Sequence, residues 1–275
     1  MVAIGLSPGL NALEPNCRSS PYLAYHEITK AEPAYLYGTS AGQFREHLRC
    51  VQRLAALKHS RSSVLRITLD DGHASQYECA FPVLQELSMK ATFFITAGWT
   101  DKYPEYMTWK QLGELSRAGH EVQSHGWSHT HLTRCSDHAL SAELRGSKFA
   151  LEDHLGMEVT AISAPGGRWN QRVVHACEDA GYKRLFISDP WINKKRAGGI
   201  AVLGRWMVTR NMDENKIASL LDVRGTSMTL LRARNLLKLT ARIMIGDSAY
   251  QALWRRVAEK TQSPGGHYFK GEKGT

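Results

Sequence analysis

The sequence predicts an α/β fold built on a mainly parallel sheet, and three observations predict it. Short apolar runs alternate with amphipathic helical stretches, seven such strand candidates occur, and residues able to do chemistry fall just beyond several of them. Strand, helix and strand in repetition give parallel neighbours joined by crossovers. Seven strands with no dinucleotide-binding glycine fingerprint favour a closed or nearly closed barrel over an open sheet.

The elements follow in order. Residues 1–20 carry Pro, Asn and Ser and read as an irregular lead-in. Strands are expected at 22–28, 64–69, 91–97, 120–124, 159–164, 183–188 and 200–203. Between the first two, Phe44, Leu48, Val51, Leu54 and Leu57 recur at helical spacing. Leu140, Leu144, Leu151 and Leu155 do the same, with Ser136 as N-cap and Gly156 as stop; Gly119 and Gly181 close two further helices. After Asn211 the strand signal ends, and 213–221, 228–245 and 247–259 read as helices. Arg224, Arg232, Arg234, Lys238, Arg242, Arg255 and Arg256 make that region basic, and 263–275 is Gly- and Lys-rich and expected to be disordered. The boundaries drawn are therefore 1–20, a catalytic unit at 21–212, a basic helical extension at 213–262, and a tail at 263–275.

Bulk properties narrow the function classes. Of 275 residues, 43% are hydrophobic and 22% charged, as in ordinary soluble globular proteins. A formal charge of +9 points to an acidic partner, either an anionic polysaccharide or an anionic lipid surface. No module that reads nucleic acid is present, so nucleic acid is not expected. Five cysteines, an odd number with no C-x-x-C pair, argue for a reducing compartment. Residues 1–10 lack a basic n-region and no segment has the apolar length of a membrane span. A cytoplasmic location follows as the expectation. The basic helices could touch the inner membrane surface, or pack their apolar side on the barrel and solvate their charges. Nothing in the sequence speaks to oligomeric state.

Three loops carry the chemistry. Residues 64–69 lead straight into Asp70-Asp71-Gly72, where a turn eased by Gly72 could bring both carboxylates to one cavity at a strand's carboxyl end. Such acids also cap helices. His125 and His129 follow the strand at 120–124, four residues apart, a spacing common in zinc sites. Two imidazoles and one carboxylate leave coordination positions open, and a spare carboxylate beside them can take a proton from water, which is what hydrolysis of an amide requires. Ser163-Ala164-Pro165-Gly166-Gly167-Arg168-Trp169 follows a third strand. Its glycines let backbone N–H groups approach a developing oxyanion, and Arg168 could orient a carboxylate. Trp99, Trp127, Trp169 and Trp191 lie on or near loops after strands and could stack on sugar rings.

Taken together, Thr68-Leu69-Asp70-Asp71-Gly72, His125-x-x-Ser128-His129 and Pro165-Gly166-Gly167 resemble the first three motifs of the polysaccharide deacetylases (NodB-homology domain, carbohydrate esterase family 4). Tyr25-His26-Glu27-Ile28, Ala91-Thr92-Phe93-Phe94 and Gly119-His120-Glu121-Val122 agree, so the likeness covers roughly residues 20 to 210. The resemblance implies a distorted (β/α)7 TIM-like barrel of the NodB type, here with a C-terminal helical extension, and a divalent metal, most often Zn2+, with Co2+, Mn2+ and Ni2+ suited to the same donors. Asp71, His125 and His129 would be its ligands, Asp70 the base, and the Gly166 amide an oxyanion donor.

The chain departs from the family in two places. It lacks the late Leu-x-His whose histidine serves as general acid, and it has Ser163 where many members have an arginine that steers the base. His26 is the expected replacement acid, and Arg168 the expected partner of Asp70. The fourth motif is blurred into Ser188-Asp189-Pro190-Trp191, and Trp127, Trp169 and Trp191 are the expected substrate-binding aromatics. The function implied is metal-dependent removal of an N-acyl, chiefly N-acetyl, group from an amino sugar in a polysaccharide, oligosaccharide or lipid-linked saccharide. The alternatives are a deformylase or amidase on a lipid-linked sugar or small nitrogen compound, and a catalytically weakened carbohydrate-binding protein.

Overall fold

The computed structural model describes residues 22–57, 65–190, 193–195 and 199–221. The expected lead-in, the helices at 228–245 and 247–259 with their basic side chains, the tail, and Trp191 lie outside the described residues. Seven parallel strands close into a barrel: β1 (Tyr22–Tyr25), β4 (Arg66–Leu69), β5 (Ala91–Ile95), β6 (Glu121–Ser124), β7 (Ala161–Ser163), β8 (Arg184–Ile187) and β10 (Ala201–Met207), with β10 pairing back onto β1. A short β9 (Asn193–Lys195) adds antiparallel to β10, outside the ring. The pair β2 (Ile28–Thr29) and β3 (Thr39–Ser40) forms a separate ribbon beyond the first strand.

The ring is distorted where β6 meets β7, which share a single register pair, Ser124 with Ile162. There the Gln123 side chain stands in for the missing ladder, its Oε1 accepting from the amides of Thr160 and Ala161 at 2.9 and 2.7 Å.

Helices α1 (Ala41–Leu57), α2 (Phe81–Glu86), α3 (Trp109–Arg117), α4 (Asp137–Leu155), α5 (Gln171–Asp179) and α6 (Glu214–Leu221) complete the described elements. Most of their apolar faces meet the outer side of the strands in one large core. Phe44 and Leu48 of α1 are wholly buried in it, each removal from water worth about 2 kcal/mol. The caps expected for α4 are present: Ser136 Oγ accepts from the Ala139 amide at 3.3 Å, and Gly156 leaves the helix at φ +63°. Gly119 and Gly181 end α3 and α5 with the same handedness. No described helix is long and apolar enough to cross a membrane. The four described cysteines, Cys50, Cys79, Cys135 and Cys177, are free thiols.

Several strand ends fall a residue or two inside the expected ranges, and two ends differ more. The first strand ends at Tyr25 rather than residue 28, because the chain turns away after His26 to pair Ile28 with Thr39. The last runs to Met207 rather than stopping at 203, although Gly204 and Arg205 interrupt its apolar run. Arg205 is tolerated there because its charge is neutralised inside the barrel. Period-two alternation puts Thr68 with Asp70, Ala161 with Ser163, and Leu203 with Arg205 on common faces. Tyr22, Phe94, Ala161, Phe186, Ala201 and Leu203 form a small separate cluster. The Arg205 guanidinium lies over the rings of Phe94 and Phe186, at 5.3 and 5.8 Å from their centroids.

Candidate active site

At the carboxyl end of β4 the chain leaves the sheet through Asp71 at φ +77° and Gly72 at φ +82°. Asp71 is thus itself in the left-handed region, a strained backbone for a residue with a Cβ, and this turn brings its carboxylate to the same cavity as that of Asp70. His129 shares the strain at φ +62°. Asp70, Asp71 and His125 are each 2% exposed, whereas the His129 side chain is 28% exposed, so the site opens past that ring.

Both imidazoles aim Nε2 at one oxygen, Asp71 Oδ1, at 3.2 Å for His125 and 3.3 Å for His129. That oxygen is buried and makes no hydrogen bond with either ring. Three donors on a tetrahedral ion with bonds near 2.0–2.2 Å would stand about 3.3 Å apart. The arrangement therefore fits a divalent cation, and it is the one such donor cluster among the described residues. His125 is further fixed by Nδ1, which lies 2.8 Å from the Ser163 carbonyl; donation there leaves Nε2 as the ligating nitrogen. The His129 ring lies beside Trp99, centroids 5.3 Å apart, and Trp99 in turn packs on Tyr106 at 4.5 Å.

Asp70 is held differently. Arg205 grips it with two bonds, Nη1 to Oδ1 at 2.6 Å and Nη2 to Oδ2 at 2.7 Å, and Ser163 Oγ donates to Oδ2 at 3.0 Å. Arg205 also donates to Ser163 Oγ at 2.7 Å and to Thr68 Oγ1 at 3.1 Å. Gln76 Nε2 donates to the main-chain oxygens of both Asp70 and His26, tying the ends of β4 and β1 together. Burial by itself would raise the Asp70 pKa, but the Arg205 charge, the nearby His125 and the Arg205 hydrogen bonds outweigh it and hold the carboxyl below its usual value. For His26, burial lowers the pKa against the opposing pull of Asp71 and Asp70, and its buried Nδ1 has no hydrogen-bond partner.

A family model described as polysaccharide deacetylase matches residues 58–185. Over those residues the barrel matches the polysaccharide deacetylase family. YxkH of Bacillus subtilis (strain 168) is 30% identical over 165 residues, covering 60% of this chain and 58% of YxkH. The peptidoglycan-N-acetylglucosamine deacetylase PgdA of Listeria monocytogenes is 29% identical over 110 residues, 40% of this chain and 22% of PgdA. The chain thus spans less than two thirds of the length of these relatives. Among solved structures, the Streptococcus pyogenes deacetylase PplD superposes with a TM-score of 0.64 at 24% identity, over 73% of this chain and 97% of PplD, a likeness of fold.

Within this barrel the structure brings together Asp70, Asp71, His125 and His129 as the motifs imply, but it corrects the expected role of Arg168. The guanidinium at Asp70 comes from Arg205, 135 residues along the chain and on β10. Arg168 follows the two left-handed glycines Gly166 and Gly167, and its charge, after burial and Arg134, helps lower the pKa of His131. Ser163, read as a gap in the third motif, relays between Arg205 and Asp70. The Gly167 amide is spent on the Ala164 carbonyl at 2.8 Å. Trp127 is 44% exposed, whereas Trp169 is half-buried and packs on the main core. Sequence reading missed Arg205 altogether; the available signal was a single charge inside an otherwise apolar strand.

Proposed function

We propose that the protein is a metal-dependent hydrolase that removes an N-acyl group, most simply N-acetyl, from an amino sugar in a saccharide. The observation that carries this is an ionised, doubly held carboxylate, Asp70, next to a three-donor cluster suited to a divalent cation. The named activity of PgdA, on N-acetylglucosamine in peptidoglycan, supports an N-acetylated amino sugar as substrate class. Asp71, His125 and His129 would hold the ion, with zinc first by donor type. When bound, it supplies Lewis-acid polarisation of the acyl carbonyl and a more acidic water.

The protein's own residues do the rest. Asp70 Oδ2 spends both lone pairs on Arg205 and Ser163, but Oδ1 accepts only from Arg205 and keeps a lone pair, so it can accept the proton of the attacking water. The Gly166 amide donates to the oxyanion as the carbonyl carbon becomes tetrahedral. Protonated Asp70, kept strongly acidic by Arg205, then gives its proton up readily as the carbon–nitrogen bond breaks. We assign to His26, whose Nδ1 has no hydrogen-bond partner and which feels the charge of both carboxylates, the passing of that proton to the departing amine. Trp127 offers an exposed ring face to a sugar.

The test is amine release from a panel of N-acetyl, N-formyl and other N-acyl saccharides, with metal content measured in parallel. Release from N-acetylated sugars is the expected result, and none from any of them, in protein carrying one equivalent of metal, would overturn the proposal. His26→Ala is expected to lower kcat on the amide about 10²-fold or more at unchanged metal content, and to spare an ester whose leaving group needs no proton. Equal loss on both substrates would remove His26 from the proton path.

A further inference from the structure

Residues 126–128 join the two candidate histidine ligands, and the structure holds this loop from two sides. On one side the amides of Ala97 and Gly98 donate to the carbonyls of Gly126 and Trp127 at 3.1 and 2.9 Å. Gly98 is required for that approach, since a Cβ there would lie 2.6 Å from the Trp127 oxygen. On the other side the Gly126 amide donates to Ser124 Oγ at 3.1 Å, and a single carboxylate from α4, Glu143, takes the donors of Trp127 and Ser128. Its Oε2 accepts from the amides of Trp127 and Ser128 at 2.8 and 2.9 Å, and its Oε1 from Ser128 Oγ.

The two histidines depend on this loop unequally. His125 is fixed without it, by its own amide on the Ile95 carbonyl at 2.7 Å and by its Nδ1 at the Ser163 carbonyl. His129 has a left-handed backbone at φ +62° and a ring against Trp99, and its main chain runs between the loop at 126–128 and His131, whose Nδ1 lies 3.2 Å from the Pro165 carbonyl. Glu143 thus holds the N-terminal approach to His129.

We propose that Glu143 is a positioning residue for the metal centre, acting through His129 alone. This rests on the reading that Asp71, His125 and His129 bind a divalent ion. A purely structural role is distinguishable, because the Trp127 and Ser128 backbones lie in the exposed part of the loop and water can replace a lost carboxylate at their amides. Removing Glu143 should then loosen metal binding while leaving the apo-protein folded.

The experiment is titration of metal-free protein with Co2+, following both the dissociation constant and the visible absorption, with thermal unfolding of the apo-protein alongside. Glu143→Ala is expected to weaken cobalt binding about 10- to 100-fold, the range found when groups that orient ligands are removed, and to alter the visible spectrum. Glu143→Gln, which keeps one accepting oxygen, should recover part of the affinity. In a His129→Ala background Glu143→Ala should cost nothing more, as expected for two residues acting as one unit. Unchanged affinity and spectrum in Glu143→Ala, or an equal loss with and without His129, would overturn the proposal. Should Glu143→Ala fail to fold, Glu143→Gln and Ser128→Ala carry the same comparison. Wild-type protein that binds no cobalt would overturn the metal reading itself, whereas wild-type binding with an unaltered variant overturns only the role of Glu143.

Discussion

Asp70→Asn is expected to lower amide hydrolysis by about 10²–10⁴-fold, the usual worth of a positioned general base, while Asp71, His125 and His129 keep their ion. The amide cannot accept the water's proton, although it is nearly the shape of the carboxylate. The variant also leaves the Arg205 guanidinium buried without a counter-charge, which costs about 3–5 kcal/mol where one partner of a buried pair is removed. A lower melting temperature is therefore part of the expected result and must be separated from the loss of chemistry. The double variant Asp70→Asn with Arg205→Met removes the stranded charge, so it should regain stability without regaining turnover. Metal analysis, melting curves and kcat on an N-acetylated sugar read all three effects. An active Asp70→Asn protein would exclude Asp70 as the base.

Arg205→Met is expected to have the next largest effect, and its signature is a displaced pH profile. In the native protein Arg205 outweighs burial and keeps Asp70 ionised below the ordinary carboxylate pKa. The acidic limb of kcat/KM should therefore not come from Asp70 near neutrality. Without Arg205, burial acts unopposed by that charge and raises the Asp70 pKa, so the base becomes protonated at higher pH. Activity should fall most in mild acid and recover partly in base. The stability linkage has the same origin. A depressed folded pKa contributes stability above the unfolded pKa of about 3.9, lost as pH falls through the folded value, and the variant forfeits it. The measurement is kcat/KM against pH for both proteins at saturating metal; superimposable profiles would show that Arg205 does not tune Asp70.

Local signals made much of the molecule legible. Period-two and helical spacing located all seven barrel strands and the long helices, because each strand is apolar toward the outer helices and each helix carries one buried stripe. Ser136 and Gly156 marked the ends of α4 because capping depends on neighbouring residues alone. The three-donor cluster was legible because its donors sit in two compact motifs, each directly after a strand. The arginine at Asp70 was not. Arg168 lay beside a recognised motif and Arg205 did not, yet the barrel's closure, through β10 pairing on β1, decides which guanidinium arrives. A contact between residues 70 and 205 leaves no mark in the spacing of either segment. Glu143 was hidden for the same reason, since its carboxylate matters only to a loop that precedes its own helix.

That the base is held from the last strand has a consequence for how the protein comes alive. The family-model match ends at residue 185, short of β10. A chain emerging from the ribosome would by then already hold both aspartates and both histidines. It would still lack the guanidinium that does most to keep a buried Asp70 charged. On the proposed reading, reactivity would arrive only with ring closure, and a half-made protein would carry the three donors without it.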